Sequence, residues 1–141
     1  MKKNMFSNHV GYFVQEIARK SSIALNEELE ALGITYAQFR VINCLWKKGP
    51  MPQKDILKLI SVSPPTLTGT VDILEKKELV YRKPDEQDAR TKKIHLTVQG
   101  TELQEKAWNI IVDFEERTTS FMSKKEKKMV LAALKGIEKR I

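Results

Sequence analysis

Two short stretches hold the side chains best suited to engaging a ligand. The first is "SPPTLTGT", residues 63–70, where Ser63, Thr66, Thr68 and Thr70 put four hydroxyls around Pro65 and Gly69. The second is "RKPDEQDARTKK", residues 82–93, where Arg82, Lys83, Arg90, Lys92 and Lys93 alternate with Asp85, Glu86 and Asp88. Neither pattern makes or breaks bonds. No nucleophile–base pairing, paired-carboxylate site or glycine-rich phosphate loop stands out, so no catalytic residue is assigned and no enzyme is expected. His9 and His95 are distant and Cys44 is the single cysteine, so no spacing suits a metal, and no cofactor is expected.

Hydroxyls and small residues at the start of a helix suit polyanion binding. Backbone N–H groups there attract phosphate, and threonine offers both a hydroxyl and a methyl to base edges. Arginine on a projecting hairpin suits the negative potential of a narrow minor groove. Asp85 and Asp88 would repel phosphate directly, so they are expected to hold Arg90 in one rotamer by charge-assisted hydrogen bonds. Taken separately, each stretch also fits a plainer reading: a capped core helix whose threonines face water, and a solvated polar hairpin.

The flanking pattern supplies elements to position both. Apolar residues recur at helical spacing from Val10 to Leu32, with Gly33 as a stop. Thr35 and Gln38 have capping-box spacing, and the helix they open ends at Lys47, Lys48, Gly49 and Pro50. "MPQKDILKLI" reads as a short helix, and Ser63 caps the next, with Leu67, Val71 and Leu74 as its buried stripe. "ELVYR" and "KKIHLT" read as two strands around the charged loop. The helical period returns from Val98, with apolar residues from Leu103 to Phe121 marking one long helix, and a last helix is capped by Ser123 and Glu126.

The chain has 141 residues, 41% hydrophobic and 30% charged, with a formal charge of +7. That describes a foldable, helix-rich protein with a bias toward polyanions. The bias is weak where it matters: residues 49–100 carry nine Lys and Arg against seven Asp and Glu. No apolar run approaches a membrane span and no signal-peptide core follows the basic start, so the expected location is the cytoplasm, with no membrane partner.

The order helix, helix, helix–turn–helix, strand, charged tip, strand, helix, helix describes a winged helix-turn-helix. Residues 32–103 resemble the MarR family of bacterial transcription regulators. The likeness is closest in "SPPTLTGTVDILEKKELV" and in "DEQDARTKKIHLT", where Asp85, Asp88, Arg90, Leu96 and Thr97 match the family's D-x-x-D-x-R wing and following "LT". The resemblance implies a mostly α fold with a small β-hairpin, the winged lobe joined to terminal helices that form an intertwined dimer. The expected division is 1–34 for an N-terminal dimerisation helix, 35–100 for the DNA-binding lobe, and 101–141 for C-terminal dimerisation helices.

It further implies a homodimer on a palindromic operator in double-stranded DNA, usually a repressor released by a ligand or oxidant. The DNA-contacting residues would be Ser63, Pro65, Thr66, Thr68, Gly69 and Thr70 on the recognition helix, and Arg82, Lys83, Arg90, Lys92 and Lys93 on the wing. Two positions depart from the pattern: Gly69 stands where the family often has arginine, and Pro52 where it often has a threonine or serine cap. The other class of function is a winged helix reused as a protein-interaction module, favoured by the missing arginine and the weakly basic centre.

A small lipophilic or aromatic effector would sit where the first and fifth helices meet the lobe, lined by Tyr12, Phe13, Trp46, Met51 and Trp108. Aromatics at helical spacing equally describe plain core. Peroxide-sensing relatives carry their cysteine near the start of the first long helix, where this chain has none. Cys44, among Val41 and Leu45, is expected to be buried and inert.

Overall fold

The computed structural model describes residues 6–141. The order is α1 (Val10–Leu29), a 3-10 turn (Glu30–Leu32), α2 (Tyr36–Lys48), β1 (Met51–Pro52), α3 (Gln53–Leu59), α4 (Pro64–Lys76), β2 (Val80–Pro84), β3 (Lys92–Leu96), α5 (Val98–Glu102), α6 (Gln104–Thr119) and α7 (Lys124–Glu138). Local chemistry sets the helix starts. Thr35 and Ser123 form reciprocal capping boxes with Gln38 and Glu126, while the Ser63 hydroxyl accepts from the Thr66 N–H with Pro64 in the first turn. Gly33, at φ 71°, ends the first helical segment in the left-handed region.

Three differences from the sequence pattern have physical causes. Met51 and Pro52 do not begin a helix. They pair with Ile94 and Lys93, making the hairpin a three-stranded antiparallel sheet of order β1-β3-β2. Proline lacks a ladder donor and is tolerated there because β1 is an edge strand, and Met51 is buried by the pairing. The single helix read from Val98 onward is instead divided at Leu103 into α5 and α6. Gly100 sets the packing there: its backbone runs so close to Leu79 that an added Cβ would lie 2.1 Å from the carbonyl oxygen. The first helix tightens to 3-10 geometry over its last three residues.

Two apolar clusters hold the lobe. Val41, Ile42, Leu45, Ile56, Leu67, Val71, Leu74, Val80 and Ile94 pack α2, α3, α4 and the sheet together. Leu25, Leu29, Ile34, Phe39 and Ala107 join α1, α2 and α6. Trp46 packs against both, so the helices outside the lobe share a boundary with it. The apolar faces at the chain ends behave differently. Val10, Phe13, Val14 and Ile17 of α1 are exposed, as are Met129, Val130, Leu131, Leu134 and Ile137 of α7, which has no buried residue.

Candidate nucleic-acid interface

The core stripe Leu67, Val71 and Leu74 is fully buried, which turns the opposite side of α4 to solvent. Ser63, Pro65, Thr66, Thr68 and Gly69 are exposed there, and Thr70 is half-buried. Space around Gly69 is open: a Cβ would meet nothing within 4 Å. The hydroxyls are partly engaged. Ser63 Oγ donates to Thr66 Oγ1 at 2.7 Å, Thr68 Oγ1 to the Pro64 carbonyl at 3.1 Å, and Thr70 Oγ1 to the Thr66 carbonyl at 2.9 Å.

The wing rises beside this helix. Its tip is closed by Asp85 N–H to the Thr91 carbonyl at 2.8 Å and Thr91 N–H to the Asp88 carbonyl at 3.0 Å. Asp88 Oδ1 accepts from both the backbone N–H and the Nε of Arg90, at 3.1 and 3.3 Å, and leaves the arginine side chain 94% exposed. Lys83 and Lys92 are exposed along the strands.

Two of the expected roles shift. Asp85 does not hold Arg90; it pairs with Lys93 at 3.3 Å, which makes Lys93 part of the wing's own scaffold. Arg82 is not a free backbone-binding cation. It is 19% exposed and pinned at the wing base, 2.8 Å from Asp72 and 3.1 Å from Glu75, with Gln53 Oε1 at 3.2 Å. An opposite carboxylate pair on α4 outcompetes solvent for a guanidinium that β2 holds against the helix. Gln53 then donates from Nε2 to Thr68 Oγ1 at 3.1 Å, linking wing base to helix. No local spacing reveals Gln53, Asp72 or Glu75 as partners of Arg82, because the contacts cross three elements.

The model of the MarR family matches residues 34–92, from two residues before α2 to the first residue of β3. The HTH-type transcriptional regulator YwoH of Bacillus subtilis is 34% identical over 110 residues, covering 78% of this chain and 80% of that protein. The chain belongs to the MarR family. Among solved structures, the Staphylococcus aureus MepR–DNA complex superposes with a TM-score of 0.87 at 28% identity, covering 94% of this chain and 98% of that one. An Escherichia coli MarR cysteine mutant complexed with operator DNA gives 0.85 at 26% identity, covering 96% and 99%.

Within this MarR-family chain the five residues expected around an effector fall into separate places. Trp46 and Trp108 flank Phe39, with ring centroids 5.9 and 5.6 Å from it, and Trp46 Nε1 donates to the Gly100 carbonyl at 2.9 Å. Lys47 lies over the Trp108 ring. Met51 is buried in the lobe core. Tyr12 and Phe13 lie edge to face with each other near the exposed start of α1. Cys44 is buried, its thiol donating to the Arg40 carbonyl, and burial pushes its pKa up. Among the described residues no group of His, Cys, Asp and Glu is arranged to hold a metal ion, and no helix is long and apolar enough to cross a membrane.

Proposed function

We propose that this protein is a sequence-specific DNA-binding transcriptional repressor that acts as a homodimer on a palindromic operator. One observation carries the reading: the exposed hydroxyl-rich start of α4 stands beside a wing that presents Arg90 almost fully to solvent on a fixed Asp88 anchor. The helix supplies a major-groove probe, and the wing an arginine for the neighbouring minor groove. The MepR and MarR complexes with DNA, similar over nearly the full chain, support the same docking.

The dimer rests on the exposed apolar stripes of α1 and α7. Such faces are costly in water, and a second copy would bury them while placing two α4 helices for two half-sites. Release by a small lipophilic or aromatic molecule is the mode of regulation we infer, with Tyr12 and Phe13 available to complete a site against a partner.

The test is titration of a fluorescent duplex from the protein's own promoter at two salt concentrations, with sedimentation to count subunits. Affinity should fall steeply with salt and exceed that for random DNA by at least about a thousandfold. Salt-insensitive or absent DNA binding, with recovery of one stoichiometric protein partner, would instead establish an interaction module.

A further inference from the structure

We propose that Thr68 reads DNA through its methyl group, as a detector of the thymine 5-methyl, with Gln53 as the residue that positions it. The inference rests on the DNA-binding reading above and assigns one contact within it. A threonine hydroxyl has one proton and two lone pairs. The Pro64 carbonyl can only accept, so the Thr68 proton points to it across 3.1 Å. Gln53 Nε2 donates to the same oxygen at 3.1 Å, filling one lone pair. The amide cannot be turned the other way round, because Gln53 Oε1 lies 3.2 Å from Arg82, whose guanidinium only donates. Arg82 is in turn fixed by Asp72 and Glu75.

With its proton held inward, the hydroxyl of Thr68 has no donor to offer phosphate, guanine or the thymine carbonyl. One lone pair and the γ-methyl remain for a base edge, and the exposed Thr68 stands next to a glycine whose own Cβ would meet nothing within 4 Å, so the methyl is the apolar group this surface offers. The contrast with the start of the same helix is direct. Ser63 and Thr66 share one hydrogen bond between two hydroxyls, so one of their protons stays unengaged and can donate to a phosphate oxygen. One turn of helix thus divides the work: a donor pair for the backbone, and a methyl for the base.

The test uses the full chain and a duplex selected from a randomised pool. Each thymine of the selected half-site is replaced in turn by deoxyuridine, which lacks only the 5-methyl. One position should lower affinity about three- to fivefold, the worth of one buried methyl. Thr68→Val, which keeps the methyl and deletes the hydroxyl, should bind within about twofold of wild type and keep that sensitivity. Thr68→Ser, which removes the methyl in both subunits, should bind the thymine duplex about ten- to twentyfold more weakly and no longer distinguish deoxyuridine. Gln53→Leu should leave the fold intact but bring the thymine-to-deoxyuridine ratio close to one.

Uniform indifference to deoxyuridine, or a loss above tenfold for Thr68→Val, would show that the hydroxyl or no group makes the contact and overturn the proposal. An unchanged ratio in Gln53→Leu would remove Gln53 from it. A selection that yields no preferred sequence would defeat the regulator reading itself, and the assignment of Thr68 with it.

Discussion

The ammonium of Lys77 lies 2.7 Å from the carbonyl oxygen of Gly33, tying the end of α4 to the turn that closes the first helical segment. The same Nζ reaches Gln38 Oε1 at 2.8 Å, an oxygen that also accepts from the Thr35 N–H at 3.1 Å. One cation thereby joins the end of α4 to the capping box of α2. Lys77→Met keeps the aliphatic stem and removes both bonds. Gln38 retains its Thr35 partner and Gly33 can turn to water, so the cost should be modest, about 1 kcal/mol from the urea midpoint. Amide exchange should rise at residues 33–35. Unchanged exchange there would show that the strut carries no tension between the two elements.

Glu78 stands at φ 59° just beyond α4, the one non-glycine among the described residues with positive φ. Its N–H bonds to the Glu75 carbonyl and that of Leu79 to the Leu74 carbonyl, the paired pattern that closes a helix through a left-handed residue. A side chain with a Cβ is strained there, and glycine is not. Glu78→Gly should raise stability by about 1 kcal/mol after the added freedom of the unfolded chain is counted. A thermal melt that moves downward would show that the Glu78 side chain has a compensating role.

Gly100→Ala should have the opposite sign. The new methyl would stand 2.1 Å from the Leu79 oxygen, with Leu96 Cδ2 at 3.2 Å, and backbone cannot yield as a flexible side chain does. A loss of about 2 kcal/mol or more is expected. Gly69→Ala is its control: nothing lies within 4 Å, and replacing a mid-helix glycine should stabilise by about 0.5–1 kcal/mol.

What could be read from the sequence was local. Caps at Thr35, Ser63 and Ser123 need only residues one turn away, and the stripe Leu67, Val71 and Leu74 follows from helical period, so α2, α4 and α7 were legible, while α3 was read with its start misplaced. Arg90 was legible too, since its Asp88 partner lies two residues off. What escaped depends on distant chain. The Met51–Pro52 strand exists only because β3 passes beside it. The capture of Arg82 by Asp72 and Glu75 needs β2 laid against α4, and the pairing of Asp85 with Lys93 rather than Arg90 depends on hairpin register. The ending of α4 was hidden for another reason: Glu78 occupies a place where glycine would have announced it.

Cys44 offers a pH test with a definite sign. Burial holds the thiol proton more tightly in the folded protein than in the unfolded chain. Its contribution to stability is therefore full below the unfolded thiol's pKa, about 8.5, and declines as pH rises through the higher folded value. The difference in urea midpoint between wild type and Cys44→Ala should shift against wild type as pH rises above about 8.5. Iodoacetamide at pH 8 should label the folded protein far more slowly than the urea-unfolded one. Rapid labelling of the folded state would restore Cys44 as a candidate redox sensor.

Arg90 separates binding from folding. Its side chain is 94% exposed and its partners are Asp88 alone, so Arg90→Ala should leave the melting temperature within about a degree. If it reaches the minor groove, DNA affinity should fall about tenfold, and the slope of log affinity against log salt should flatten by about one per subunit as a phosphate-facing charge is lost. Arg90→Lys should recover the salt slope but not the full affinity, since a narrow groove favours the planar guanidinium. Asp88→Asn tests the anchor: it keeps an acceptor for the Arg90 N–H but weakens the hold on Nε. The expected loss is smaller, about two- to threefold, because a freed arginine still carries its charge and must only be ordered on binding. Asp85→Asn, which touches Lys93 instead, should leave affinity nearly unchanged. An Asp85 effect larger than that of Asp88 would mean that Lys93, not Arg90, is the cation the wing is built to present.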